Sequence, residues 1–309
     1  MKEEIYRIQH IAIIGCGTIG VSWAAYFLAQ GLTVTAWDPS ASARETFAVL
    51  VATDMATLGA APRQPWIADS LMRAVAEADL VVENAPESVE LKRGLLRDLQ
   101  VAAPDQAVIA SSTSSLMHSD IALEVADPGR VVIAHPFNPP HLVPLVELYG
   151  PDPQIVEWLV AFYREIGKQP VVMRKEMVGH IANRLSSALW REALYLLQEN
   201  VASVEDIDRA VTAGPGLRWA IQGPFLTYHL GGGRGGIRHY LEHLGPSQEY
   251  RWASLGEPVM DEDFTQRVVE GVESATHGQA LDQLFEQRDA MLVALQRMLR
   301  TEKNGKGEL

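Results

Sequence analysis

Two residues with complementary chemistry, His135 and Glu147, lie twelve positions apart near the middle of the chain. Histidine can take a proton from a hydroxyl group, because the pKa of its imidazole lies near neutrality. A carboxylate beside it fixes the tautomer of the ring and stabilises the imidazolium that forms. The hydroxyl of Ser114 and the amide of Asn183 can hold a substrate oxygen as its charge changes. These four residue types suit the oxidation of an alcohol.

Polar residues follow three short apolar runs that have the composition of buried strands. The polar clusters are 83–87, 111–115 and 135–140. Because the carboxyl ends of parallel strands meet at one edge of a sheet, we expect the three clusters to line one crevice. The next apolar run, 142–148, follows a proline-rich turn, and a strand there would return Glu147 to the side of His135.

The N-terminal region carries the glycine spacing of a dinucleotide-binding turn. Gly15, Gly17 and Gly20 follow the apolar run 11–14 and precede the helical run 21–30. In this arrangement the first glycine permits a tight turn, and the second lets the backbone approach a pyrophosphate. The third lets the helix pack closely on the strand, and the N-terminus of the helix offers free N–H groups to the anion. The context on both sides makes the motif specific.

An acidic residue, Asp38, ends the second strand 18 residues after Gly20. A carboxylate at this place accepts a hydrogen bond from a ribose 2′-hydroxyl and repels a 2′-phosphate. We therefore expect NAD rather than NADP as the cofactor. Thr18 and Ile19, within the same glycine-rich loop, are expected to contact it as well.

The order of the elements predicts an α/β fold of the Rossmann type, with a doubly wound parallel sheet, followed by an all-α C-terminal domain. We place the division near residue 176: residues 1–176 form an NAD-binding domain, and residues 177–309 form a helical domain for substrate binding and dimerisation. Within the second domain, 177–198 and 203–212 read as helices. The helical region 263–300 is expected to be interrupted near Gly271 and Gly278.

The overall composition excludes several classes of protein. The net charge is −13, which disfavours a nucleic-acid partner, since such binding depends on clustered Lys and Arg. No apolar stretch reaches the roughly 20 residues of a membrane helix, and residues 1–4 lack the apolar segment of a secretory signal. The single cysteine, Cys16, reads as a small filler side chain and fits a cytoplasmic location. We expect no metal ion.

Taken together, these motifs resemble the 3-hydroxyacyl-CoA dehydrogenase family over nearly the whole chain. The segments that carry the resemblance are the glycine loop, Ser-Ser-Thr-Ser-Ser at 111–115, His-Pro-Phe-Asn-Pro at 135–139, Leu-Val-Glu at 145–147 and Gly-His-Ile-Ala-Asn-Arg at 179–184. The resemblance implies that His135 is the catalytic base with Glu147 as its partner, assisted by Ser114 and Asn183. It implies NAD contacts at Asp38, Glu87, Lys92, Ser114 and Asn138. It also implies a homodimer that forms through the helical domain.

One departure from the family pattern bears on the substrate. The acyl-CoA enzymes of the family carry a lysine-rich helical insertion after the second strand, whereas residues 41–91 here contain eight acids, three arginines and no lysine. A polyanionic CoA tail would find few partners there. We therefore expect a small hydroxy acid as the substrate.

A second departure, the aromatic segment 214–230, resembles the family branch that contains carnitine and L-gulonate 3-dehydrogenases. Carnitine carries a quaternary ammonium group, which aromatic faces can bind, and a carboxylate, which arginine can bind. The candidate contacts are Phe137, Trp219, Phe225 and Tyr228 for the ammonium group and Arg184 or Arg218 for the carboxylate. L-Carnitine is the leading substrate. L-Gulonate and a short acyl-CoA remain alternatives, as does a non-enzymatic protein that binds NAD.

Overall fold

The computed structural model describes residues 7–306, and the side chains of residues 7–299 and 301. Within that range the chain forms eight strands and thirteen α-helices. The strands are β1 His10–Ile14, β2 Thr33–Trp37, β3 Trp66–Ile67, β4 Leu80–Glu83, β5 Val108–Ser111, β6 Val131–Pro136, β7 Leu145–Tyr149 and β8 Gln169–Val172. The helices of the N-terminal region are α1 Thr18–Ala29, α2 Ala41–Thr57, α3 Leu71–Val75, α4 Val89–Ala102, α5 His118–Ile121 and α6 Pro153–Glu165. The remaining helices are α7 Ala182–Gln198, α8 Val204–Thr212, α9 Pro215–Trp219, α10 Pro224–Gly231, α11 Gly236–Ala253, α12 Glu262–Ala275 and α13 Leu281–Lys306.

The eight strands form one sheet in the order β3-β2-β1-β4-β5-β6-β7-β8. Strands β1 to β6 are parallel, and β7 pairs with β6 in the antiparallel direction. Strand β8 is parallel to β7. The prediction of a Rossmann-type sheet is confirmed, but its last two strands run opposite to the rest. The reason is the short connection from Pro136 to Leu145, since a parallel crossover needs about a dozen residues or more.

Alternating residues of the central strands build two apolar layers, one on each face of the sheet. Ile11 and Ile13 point into the layer that contains Trp23 and Phe27 of α1. Other members of this layer are Phe47 and Val51 from α2 and Leu159 and Phe162 from α6. On the opposite face, Ala12 and Ile14 pack with Val75 of α3, Leu96 and Leu99 of α4, and Ile121 of α5. Helices therefore cover both faces, as in a doubly wound fold.

The chain divides into two compact units. The first extends to Arg184 and also includes Asp289–Ala294, and it contains the whole sheet. The second contains Leu185–Arg288 and the residues from Leu295 onward, and it is helical. The sequence placed the division at residue 176, eight residues earlier than Arg184. Residues 1–6, on which the expected absence of a secretory signal depends, lie outside the described range, as do residues 307–309.

Helix α12 of the helical unit differs from the prediction made from the sequence. The helical region continues through Gly271, which lies inside α12, so the interruption expected there is wrong. A Cβ at this position would come within 2.5 Å of Val204 Cγ2. The glycine therefore allows α12 to approach α8 closely. The helix ends where expected, near Gly278, which has a φ of +69°.

None of the described helices is both long enough and apolar enough to cross a lipid bilayer.

Candidate active site

The glycine loop after β1 has the shape that a bound diphosphate requires. Gly15 has a φ of +100°, and a Cβ at Gly20 would lie 1.9 Å from the carbonyl oxygen of Gly15. Both positions therefore exclude a side chain. A Cβ at Gly17 would meet no atom within 4 Å. Gly17 is the N-cap of α1, and no side chain caps that helix end, so Thr18 and Ile19 begin a helix whose N-terminus is open to an anion.

The carboxylate of Asp38 is held at the end of β2 by two backbone amides. Cys16 N donates to Asp38 Oδ2 at 2.8 Å, and Ser40 N donates to Oδ1 at 2.8 Å. The glycine loop and the second strand are thus tied together at the place where a ribose is expected. Burial, together with the charge of Asp38, raises the pKa of the Cys16 thiol to about 12. A thiol in this state is inert, in agreement with a filler role.

His135 and Glu147 face each other across the antiparallel pair β6 and β7. His135 Nδ1 lies 2.8 Å from Glu147 Oε2, and both side chains are buried. Burial by itself raises the pKa of Glu147, but the hydrogen bonds from His135 and from the amides of Ala182 and Ile181 outweigh it and hold the pKa below its ordinary value. Because an ionised carboxylate can only accept, Nδ1 carries the proton. The lone pair is therefore on Nε2 of His135.

The amides that hold Glu147 come from a sharp turn at residues 179–182. Gly179 and His180 have φ values of +75° and +50°, and the turn places Ile181 N and Ala182 N at 2.8 and 2.9 Å from Glu147 Oε1. The left-handed backbone also explains why α7 begins at Ala182 and not at residue 177, where the sequence predicted its start.

The same turn, together with Asn183 in the first turn of α7, binds three successive carbonyl groups of the serine loop, residues 111–115. His180 Nε2 lies 2.9 Å from the carbonyl oxygen of Thr113. Asn183 Nδ2 donates to Ser114 O at 3.0 Å, and Gly179 N donates to Ser115 O at 3.3 Å. The backbone of the serine loop is therefore fixed relative to the His135–Glu147 pair.

The other side of the serine loop is held by one oxygen atom, Glu87 Oε1. It accepts from the hydroxyl of Thr113 at 2.7 Å, and from the amides of Ser114 and Ser115 at 2.9 Å each. The hydroxyls of Ser114 and Ser115 each lie 3.1 Å away. Burial would raise the pKa of Glu87, but these hydrogen bonds and the nearby Lys92 lower it overall. Glu87 is thus ionised. Five donors surround its Oε1, more than the lone pairs of one oxygen can accept, and the Ser114 hydroxyl at 3.1 Å is one of the two most distant, so it keeps both donor and acceptor capacity for a ligand.

Lys92 lies beneath this network with its ammonium group fully used. Its Nζ donates to both oxygens of Glu83, at 2.7 and 2.9 Å, and to Ala85 O at 3.0 Å. Glu87 Oε2 is 3.9 Å away. Ser111 Oγ donates to Glu83 Oε2 at 2.5 Å. Glu83 belongs to the predicted polar cluster 83–87, but its pairing with Lys92 was not predicted, because a glutamate at the end of a strand gives no sign of a lysine one helical turn into the following helix.

Several predicted site residues of the first unit line one cavity of about 390 Å³, within the size range of small-molecule sites, whereas the predicted cofactor residues Gly15, Gly17, Thr18, Gly20 and Asp38 are not part of its lining. The residues that line it are Ile19, Asn84, Ala85, Glu87, Lys92, Ser112, Ser114, His135, Pro136, Phe137, Asn138 and Asn183. Glu147 lies behind His135 as its hydrogen-bond partner. Asn84, Ala85, Ser112 and Pro136 lie in the clusters that the sequence placed at this crevice but were not singled out as site residues, and neither was His180, which lies beside His135.

The remaining predicted substrate residues are outside this lining. Arg184 belongs to the first unit and donates to Val178 O at 3.4 Å. Arg218 and Trp219 lie on α9, and Phe225 and Tyr228 lie on α10, all in the second unit. Their contact with a substrate stays a prediction. Among the described side chains, no cluster of three or more His, Cys, Asp or Glu residues is arranged to hold a metal ion.

Two protein-family models match the chain, one over each part of the sequence. Residues 10–177 match the family model of the 3-hydroxyacyl-CoA dehydrogenase NAD-binding domain, and residues 179–274 match that of the C-terminal domain. The chain belongs to the 3-hydroxyacyl-CoA dehydrogenase family. This confirms the resemblance, the NAD cofactor and the oxidation of a CH–OH group by an enzyme that acts on a small molecule.

Several known proteins are similar to this chain over most of their length. The L-carnitine dehydrogenase of Streptomyces griseus is 45% identical over 292 residues, which cover 91% of this chain and 87% of the relative. That of Bacillus cereus is 40% identical and covers 94% and 93% of the two chains. The solved structure of FHMPC 5-dehydrogenase, described as an NAD+-dependent dismutase, is 28% identical with a TM-score of 0.81, and the match covers 95% of this chain and 99% of that one.

Proposed function

We propose that this protein is an NAD-dependent dehydrogenase that oxidises L-carnitine at its 3-hydroxyl group to 3-dehydrocarnitine. The observation that carries the proposal is the full-length similarity to proteins named L-carnitine dehydrogenase, such as that of Streptomyces coelicolor, 44% identical over 94% of this chain and 95% of the relative. The buried His135–Glu147 pair at the cavity supports the reaction type.

In the proposed mechanism, Nε2 of His135 takes the proton of the substrate hydroxyl. Glu147 holds Nδ1–H and balances the positive charge that forms on the ring. NAD, when bound, supplies the acceptor for the hydride that leaves C3. The residues proposed to hold it are Gly15, Gly17, Thr18, Ile19, Gly20, Asp38, Glu87 and Asn138. Lys92, also predicted, can contribute its positive charge but no further hydrogen bond, because its three N–H groups are already used.

Ser114 and Asn183 are proposed to position the substrate oxygen. Because three shorter donors already occupy Glu87 Oε1, the Ser114 hydroxyl is able to donate a hydrogen bond to the substrate oxygen while that oxygen gives its own proton to His135. Asn183 uses one N–H on the carbonyl of Ser114 and keeps its second N–H and its Oδ1. That second N–H can stabilise the oxygen as it becomes a carbonyl.

The charges near the N-terminal helices support a small substrate rather than a CoA ester. The three arginines of residues 41–91 already have partners. Arg44 donates to the carbonyl of Asp38, Arg63 to Leu28 O at 3.4 Å, and Arg73 to Asp69 at 2.7 Å. With eight acids and no lysine in the same segment, a CoA tail with several phosphate charges would find few cations to pair with.

The trimethylammonium group of carnitine needs an aromatic face and nearby negative charge. Phe137 lines the cavity, and the ionised Glu87 supplies the charge. Trp219, Phe225 and Tyr228 are further proposed aromatic contacts, and Arg184 or Arg218 is proposed to bind the carboxylate of carnitine.

We also propose that the enzyme acts as a homodimer in the cytoplasm, on the basis of the family resemblance and the single, inert cysteine.

A substrate panel tests the proposal. Steady-state kinetics with NAD and L-carnitine, L-gulonate or 3-hydroxybutyryl-CoA should give the highest kcat/KM with L-carnitine. The His135→Ala variant should lose about 10²–10⁴-fold in kcat, the usual contribution of a general base, and should still bind NADH in a fluorescence titration. A preference for L-gulonate or for the CoA ester would reject the substrate. Full turnover by the His135→Ala variant would reject the base.

A further inference from the structure

His180 is an unusual residue beside the candidate catalytic pair. Its side chain is only 2% exposed, and its backbone has a φ of +50°, which non-glycine residues rarely adopt. Its ring centroid lies 5.1 Å from that of His135. A buried histidine with a left-handed backbone beside a candidate catalytic base is expected to have a structural or functional role.

The hydrogen bond of His180 fixes its tautomer. Nε2 lies 2.9 Å from the carbonyl oxygen of Thr113, and a carbonyl can only accept, so Nε2 carries the proton. Nδ1 is buried, and it has no hydrogen-bond partner within the described part of the chain. A second proton, placed on Nδ1, would leave a buried N–H without an acceptor. The geometry therefore favours the neutral ring.

The surrounding charges act on the same equilibrium. Burial lowers the pKa of His180, and so does His135 on β6, whereas the hydrogen bond to Thr113, Glu147 on β7 and Glu87 before α4 raise it. The balance leaves the pKa below its ordinary value. The lowered pKa favours the neutral ring, in agreement with the hydrogen-bond geometry.

We propose that His180 is a positioning residue: it holds Thr113, and with it the loop that carries Ser114, in register with the His135–Glu147 pair through a hydrogen bond donated by its neutral ring. Two of the three hydrogen bonds to the serine loop from the turn and the first turn of α7 come from side chains, those of His180 and Asn183. Asn183 is already proposed to contact the substrate oxygen. Of the two side chains, His180 is therefore the one whose proposed role is only to position the serine loop. The inference rests on the proposed function, because Ser114 matters only if it contacts the substrate.

Three variants separate positioning from folding. His180→Gln places an amide N–H near the position of Nε2 and should keep most of the activity. His180→Asn tolerates the left-handed backbone at least as well as histidine but is too short to reach Thr113. It should remain folded at the assay temperature, with a thermal midpoint lowered by the unpaired Thr113 carbonyl, and should lose about tenfold in kcat, the order of one hydrogen bond. His180→Phe keeps the ring and loses the donor, so its kcat should fall to the same extent.

The readouts are kcat and KM for L-carnitine, the NADH dissociation constant and the thermal midpoint. A loss of kcat in the Asn and Phe variants, rescue by Gln and an unchanged NADH affinity would support the proposal. Equal activity in all three variants would overturn it. So would a loss of activity in proportion to the loss of stability.

A second measurement does not depend on the substrate. In ¹H–¹⁵N spectra of the histidine rings, assigned with the His180→Gln variant, His180 should remain in the Nε2–H form down to pH values below its ordinary pKa of 6.5. If the His180 ring titrated at or above that pH, the proposal that it donates to Thr113 from a neutral ring would be overturned. If instead the wild-type enzyme oxidised none of the substrates but His180 kept this tautomer, the proposed function would fail and the structural assignment would stand.

Discussion

Glu147 determines which nitrogen of His135 can act as a base, which makes it the most informative single residue to change. Its Oε1 accepts from Ile181 N and Ala182 N, and its Oε2 faces His135 Nδ1. In Glu147→Gln the amide oxygen must stay on the two backbone N–H groups, so the NH2 group turns towards Nδ1. His135 is then forced into the Nε2–H tautomer. Its lone pair lies on Nδ1, and Nε2 can no longer accept the proton of the substrate.

We expect Glu147→Gln to lower kcat by about 10³–10⁴-fold, the size of the effect of the wrong tautomer in a catalytic triad. The NADH dissociation constant should change little, because Glu147 lies behind His135 and does not line the cavity. Glu147→Asp, which keeps the charge, is the matched control and should retain more activity than the amide. An active Glu147→Gln enzyme would mean that the carboxylate does not set the tautomer of His135.

The residues of the site differ in how far the sequence reveals them. The approach of His135 to Glu147 follows from local information, a strand, a short turn and a returning strand. The role of His180 cannot be predicted from local sequence. It depends on two successive residues with a left-handed backbone, Gly179 and His180, and on the carbonyl of Thr113, 67 positions earlier in the chain. The motif Gly-His-Ile-Ala-Asn-Arg marked the segment without indicating that its second residue would turn inward.

At the scale of elements, the glycine loop provides a matched pair of variants. Gly17→Ala adds a methyl group in open space at an ordinary backbone conformation, with a φ of −78°. We expect its thermal midpoint to match that of the wild type, and its NADH affinity to fall at least about tenfold, because the methyl group occupies the space of a diphosphate.

Gly20→Ala should behave in the opposite way. Its Cβ would lie 1.9 Å from the carbonyl oxygen of Gly15, so α1 must move away from β1. We expect a loss of about 1–3 kcal/mol in the free energy of unfolding, as for other overpacked sites. Calorimetry and fluorescence titration of both variants measure the two effects. If Gly17→Ala bound NADH normally, the loop would not hold the diphosphate.

The sequence predicted those elements whose pattern is strong over a short window. The strand–turn–helix unit at 11–30 and the apolar strands of the sheet are of this kind. Helix α2 was missed, since it buries only Phe47, Val51 and Met55 along 17 residues. Gly271 was taken as a break because a glycine weakens a helix, but close packing against Val204 outweighs the cost of about 1 kcal/mol.

At the scale of the whole molecule, the helical unit leaves large apolar side chains exposed on and between two neighbouring helices, α9 and α10. They are Leu217, Trp219, Ile221, Phe225, Leu226 and Leu230, with exposures from 42% to 86%. Monomeric proteins rarely expose so many apolar side chains together, and a symmetric dimer can bury the same surface on both copies. This supports the homodimer that the family resemblance implies.

We therefore expect light scattering coupled to size exclusion to give about twice the chain mass of 34.0 kDa at micromolar concentration. Phe225→Ser should shift the equilibrium towards the monomer, since Phe225 is 86% exposed within this surface. Val101→Ser, on α4 of the sheet-containing unit, is the control, because Val101 is equally exposed at 85% but lies outside the surface. A monomeric wild type would reject the dimer. A dimer that Phe225→Ser leaves intact would place the interface elsewhere on the chain, and the exposed aromatic residues of α9 and α10 would then be free for substrate recognition alone.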